Sequence, residues 1–290
     1  MKRTLKFSFL LTVTLALFVM TAYFSSPVHA TKTLPGGTYN ASSLGDDPDI
    51  VFNGNAEIVL DEATTILHSL DAKNYNLKIS GSNFLVFTSP NSAITAGNLT
   101  LDGVKLMVTK TNNNSNEMIK AKNITISNAN LLLGDAYGSS NGLTIDEKVL
   151  IKSSKIKIEG DYCIRGKAVE ISDSELTLYA HDDSIKSEND TILKGCKLDF
   201  TGGFGIWPGD GKCVIENCTG QLVTESTVIN GSSGVSITGS TLSLTTGSIY
   251  RTNTLYTYDG EILVKNSTRL YMRARKSPVY SYILRERQNQ

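Results

Sequence analysis

The sequence predicts an all-β fold: a single-stranded right-handed parallel β-helix of about ten coils, each of about 22 residues and three short strands. Three observations predict it. Apolar residues recur at p and p+2 and again at p+7 and p+9 of a repeating unit, whose starts are Leu77, Leu99, Ile124, Val149, Val169, Thr191, Cys213, Val235 and Leu255. Within each half-unit the alternation has period two, which is the signature of a strand with one face inward, and no helical periodicity intervenes. Position p+4 is held by Gly81, Gly103, Asn128, Ser153, Asp173, Gly195, Asn217, Gly239 and Asp259. Gly, Asn and Asp are the residues that best tolerate positive φ, so one left-handed corner per coil accounts for most of that column. A left-handed solenoid would need a strict six-residue repeat, and a leucine-rich repeat its own Leu/Asn signature. Neither occurs, which leaves a β-sandwich with chance regularity as the rival.

Taken in order, residues 1–30 carry Lys2, Arg3 and Lys6, an apolar run from Phe7 to Tyr23, and small residues at Val28-His29-Ala30. This is the pattern of a secretory signal peptide, with an uncleaved anchor as the alternative. No second apolar run is long enough to span a bilayer. The expected destination is therefore outside the cell or on its surface, with no membrane contact after cleavage. Residues 31–76 are expected to form an amino-terminal cap and one irregular coil through Ile58, Leu60 and Ala63. Residues 77–272 carry the β-helix, with Phe84 and Val86 opening the p+7 and p+9 columns and Gly220 as their single break. A third inward strand follows through Ile94, Ile119, Leu143, Ile164, Ile185, Ile206, Val228, Tyr250 and Leu270. Residues 273–290 form a basic tail. An open-ended solenoid must cover its exposed strand edges.

The chain has 28 Lys+Arg and 28 Asp+Glu, which argues against a nucleic-acid partner. That neutrality is a sum of unlike parts: residues 31–268 hold 19 basic and 27 acidic residues, a net of −8, between two basic ends. Four cysteines are too few for a disulfide scaffold. Cys196 and Cys218 share the small inward p+5 position of adjacent coils, about 4.8 Å apart. They serve there as small apolar fillers, although the spacing also lies within disulfide range.

The residues that follow the inward residues of the third strand form an outward ladder, Lys120, Thr144, Arg165, Lys186 and Trp207. An exposed indole stacks on a sugar ring and cations suit a carboxylate, so Arg165, Lys186 and Trp207 are candidate contacts for an acidic saccharide. The other reading has Trp207 covering a hydrophobic seam. Three residues before each inward residue the column runs Asn116, Ser140, Asp161, Asp182, Gly203, with Asp183 beside Asp182. Stacked carboxylates repel. A hard cation would relieve them, which makes Ca²⁺ the expected ion and Asp161, Asp182, Asp183 and Glu188 its candidate ligands. Lys167 offers Glu188 an ordinary salt bridge instead.

The segment His181-Asp182-Asp183-Ser184-Ile185-Lys186-Ser187-Glu188 resembles the D-D-G-I-[HK]-[AS]-E motif of a family of secreted bacterial carbohydrate-binding β-helix proteins that are similar in fold to pectate lyases. Ser184 stands where that motif has Gly. The resemblance implies calcium-assisted binding of an acidic, polygalacturonate-like polysaccharide, with Asp182, Asp183 and Glu188 as metal ligands. The leading expectation is a monomeric, non-catalytic binding protein. Its rivals are a polysaccharide lyase, with Lys186 or Arg165 as base, and a structural or adhesive surface protein.

Overall fold

A computed structural model describes residues 30–88, 92–110, 116–135, 138–247, 254–267 and 271–274. The chain from Thr31 winds into a parallel β-solenoid of about ten turns. Apart from the three-residue 3₁₀ helix Ala41–Ser43, its described regular structure is all strand. Among the described residues no helix is long and apolar enough to cross a membrane. The signal-peptide pattern and most of the basic tail lie outside the described residues.

Each turn contributes one strand to each of three parallel ladders. Ladder A pairs the p residues in register: Leu77 with Leu99, then Ile124, Val149, Val169, Thr191, Cys213 and Val235. Ladder B stacks Leu106, Leu131, Ile156, Leu176 and Leu198. Ladder C stacks Ile94, Ile119, Leu143, Ile164, Ile185, Ile206 and Ile229. These inward residues are almost wholly excluded from solvent, each side chain contributing about 1.5–3 kcal/mol of hydrophobic stabilisation. Residues 31–71 already supply six strands to the same three ladders. At the other end the strand Tyr271–Ala274 extends ladder B two residues into the stretch assigned to the tail.

Every p+4 residue from Gly81 to Gly239 has positive φ, the non-glycines lying between 48° and 52°. Just past this corner, the p+5 side chains form a hydrogen-bonded column. The backbone N–H groups of Ala129, Ser154, Cys196 and Cys218 donate to Ser154 Oγ, Ser174 Oγ, Cys218 Sγ and Ser240 Oγ at 3.0–3.3 Å. Each of these hydroxyls and thiols donates in turn to the carbonyl two residues earlier in its own chain. The cysteines in this column are free thiols acting as serine substitutes. The hydrogen bond with Cys196, and then burial, hold the Cys218 thiol well above its ordinary range. Gly220, the break in the p+7 column, has φ of 134°, and a Cβ there would meet the Leu198 carbonyl oxygen at 1.9 Å.

Three alignments differ from those read in the sequence. In the first full coil the inward residues of ladder B are Leu85 and Phe87, because the corner Gly81-Ser82-Asn83 carries one residue more than the repeat allows. Phe84 consequently points out, 48% exposed, under the Lys105 ammonium. In ladder C the partner of Ile206 is Ile229, not Val228. In the last coil Ile262, not Leu255, pairs with Val235, and its left-handed corner is Asn266 at φ 48°. Leu255 belongs to ladder C, opposite Ile229. Tyr250 and Leu270 lie outside the described residues.

The register makes opposite demands on neighbouring positions. Leu85→Ala should cost about 2–5 kcal/mol in urea denaturation, and Phe84→Ala under about 1. Equal losses would contradict the alignment. Cys218→Ser should be tolerated, whereas Cys218→Ala strands the buried Cys196 N–H and should cost about 1–3 kcal/mol.

Candidate functional site

The candidate site lies on the outer face of ladder C, across the coils of Ile164, Ile185 and Ile206. Here two strands run through the corner between ladders B and C without a break, as Glu175–Ser187 and Lys197–Pro208. Their pairing contains a bulge: Ala180 opposes Gly202 and Asp183 opposes Phe204, so His181 and Asp182 share one partner, Gly203. A bulge re-aims the side chains beside it. Asp182 is left partly exposed, while Asp183 is driven inside with no side-chain exposure.

Buried Asp183 is answered by Lys186, whose Nζ lies 3.1 Å from Asp183 Oδ2. Among the described residues Asp183 Oδ1 has no hydrogen-bond partner. Burial pushes the Asp183 carboxyl up from its ordinary range, and the Lys186 hydrogen bond opposes that shift. The Lys186 ammonium also sits 5.1 Å from the centre of the Tyr162 ring and 4.9 Å from that of Trp207. Phe204 packs against Trp207 with centroids 5.7 Å apart. Arg165 stacks on Tyr162 at 5.6 Å. Three aromatic rings and two cations thus form one surface over three coils. A cation over a ring face within about 6 Å is attracted by the ring quadrupole, which fixes the rings in place.

The predicted ladder Lys120, Thr144, Arg165, Lys186, Trp207 pairs in register along its whole length. Its cations differ in role. Lys186 is the internal counter-ion of Asp183, and among the described residues Arg165 has no ion-pair partner. Lys167 bonds Glu147 at 3.3 Å, leaving Glu188 exposed on the far side of the strand.

Asp161 and Asp182 stack as the column predicts, the Asp182 N–H donating to the Asp161 carbonyl at 2.9 Å. Burial and the Asp182 carboxylate raise the Asp161 carboxyl above its ordinary value of 3.8. The Tyr162 hydroxyl bonds the Asp182 carboxylate, and that bond, with burial, pushes the phenol up to about 12. The four residues grouped around calcium do not converge. Asp183 turns inward to Lys186, Glu188 lies beyond the strand, and among the described residues no three His, Cys, Asp or Glu side chains form a metal-holding group. This donor set does not fit a resident calcium ion.

Tyr162 and Phe204 were not singled out in the sequence. Both belong to the column two residues before the inward residue, with Asp183 between them, so the column arithmetic that found Trp207 also contains them. No protein-family model, no curated protein and no solved structure matches the chain.

Because its folded-state value is raised, Asp161 holds its proton to higher pH in the native state than in the unfolded chain. Stability is therefore lost as pH rises through the window above 3.8. Asp161→Asn should raise the melting temperature at pH 7, with the gain vanishing below about pH 4 as both states protonate. Thermal melts across this range check it, and a gain that persists unchanged at pH 3 contradicts the assignment.

Proposed function

We propose that the protein is a non-catalytic carbohydrate-binding solenoid that holds an acidic polysaccharide, of the polygalacturonate type, on the outer face of ladder C. The observation that carries this reading is the ring surface of Tyr162, Phe204 and Trp207, crossed by Arg165 and Lys186. Sugar rings present apolar C–H faces to aromatic rings, and their hydroxyls seek hydrogen-bonding groups at the rim. Arg165 supplies a planar donor for a carboxylate. The leader pattern of residues 1–30 supports a secreted or cell-surface setting for such a ligand.

A lyase reading requires a free base beside the substrate. Lys186 is committed to Asp183 at 3.1 Å, beneath two aromatic rings, which favours a positioning role for it. The binding reading also invokes no resident metal.

Trp207→Ala should weaken polygalacturonate binding about tenfold or more, and Arg165→Ala several-fold, by isothermal titration. Chelation should leave the affinity unchanged, and no unsaturated uronide should accumulate at high protein concentration. Undiminished binding by both variants would sink the reading, and a steady rise in ultraviolet absorbance would replace it with the lyase.

A further inference from the structure

A concave pocket of about 300 Å³ lies at the corner between ladders C and A, amino-terminal to the aromatic face. Its floor is made where the strands Ile94–Asp102 and Glu117–Ser127 run through the corner without a loop. Gly97 is drawn against the preceding coil there, and a Cβ at that position would meet the Asn74 carbonyl oxygen at 2.2 Å. On either side the chain projects instead, at Lys73-Asn74-Tyr75 and at Asp146. Two flush coils between two projecting turns make the hollow. The Asn76, Asn98 and Asn123 side chains brace its edge, linked by hydrogen bonds of 2.7 and 2.8 Å.

Lys73, Lys120, Lys122 and Asp146 line this hollow, with Ala121 and Gly97 beneath. Among the described residues, neither Lys120 nor Lys122 has an ion-pair partner. Lys73 reaches only Asn53 Oδ1, at 3.4 Å. Three ammonium groups on one concave surface attract an anion, while one carboxylate at the rim repels a bare anion and accepts hydrogen bonds from hydroxyls. A sugar acid carries both complementary features. The pocket lies on the same ladder as the aromatic face: Lys120 lies four inter-coil steps from Trp207, about 19 Å along the axis. Thr144 stands between Lys120 and Arg165 on this ladder.

We propose that this corner pocket is a sugar-acid subsite, in which the lysines take the carboxylate of a hexuronate and Asp146 accepts from its hydroxyls. As a subsite of the polysaccharide held at Trp207 it rests on the reading above, and it adds a second point of acid-group recognition to that of Arg165. Binding of a single sugar acid here is separable from that reading.

The test is amide chemical-shift titration of the ¹⁵N-labelled protein with sodium D-galacturonate, D-galactose and sodium acetate. Galacturonate should shift the Thr95–Gly97 and Ala121–Lys122 amides. Galactose should not, and acetate should require at least tenfold higher concentration. The double variant Lys120→Gln/Lys122→Gln should lose the response, and Asp146→Ala should weaken galacturonate while tightening acetate. Trp207→Ala should leave the single-sugar response intact, so failure at the aromatic face and failure at the pocket are read separately. Absence of shifts, equal shifts with acetate or galactose, or a response surviving in the double lysine variant would overturn the subsite.

Discussion

The structure depends on one constraint: each strand must stack in register on its counterpart in the next coil, about 4.8 Å away. Because side chains alternate with a period of two, a slip of one residue would turn a whole inward row to solvent. Leu, Ile and Val therefore stack on like residues, and the chain must return to the same angular position once per turn. The left-handed p+4 residue makes that return, and the p+5 hydroxyl or thiol satisfies the backbone groups the corner would otherwise leave unpaired. Serine and cysteine are interchangeable there because both fit the volume, accept one N–H and donate to one carbonyl. That explains two adjacent buried thiols without invoking a covalent bond between them.

The same constraint sets the proposed binding surface. A ladder that stacks core residues inward also stacks the intervening residues outward, so side chains far apart in sequence become a continuous strip along the axis. Lys120, Thr144, Arg165, Lys186 and Trp207 meet in this way. A linear polymer suits such a strip because both extend in one dimension. The ion pair of Asp183 with Lys186 is the strip's internal support. Removing Lys186 would leave the buried Asp183 carboxylate unpaired, a costly arrangement, whereas Lys186 itself is partly exposed.

Much of the fold was legible in the sequence, because the repeat is carried by residue types with few alternatives: apolar residues at fixed offsets and a positive-φ corner. Legibility failed wherever the repeat length changed. The extra residue near Ser82 exchanged Phe84 for Leu85, and the 27-residue interval from Val235 to Ile262 displaced the last coil onto Leu255. The site was legible as a column but not in its chemistry. Stacking put Asp161 beside Asp182, and alternation from Ile185 puts Asp183 inward, but no alternation rule contains the bulge at His181-Asp182. Lys73 and Lys122 escaped notice because the pocket they share is made by differing loop lengths in neighbouring coils, a property of several turns together.

We propose that an acidic glycan lies along ladder C, parallel to the solenoid axis. A crystal structure of the protein with a galacturonate oligomer is the most direct measurement of it. A sugar ring should lie against Trp207, with the glycan chain running past Arg165 and Thr144 toward Lys120 and Lys122. An oligomer bound on ladder A or B, or lying across the coils, would contradict it.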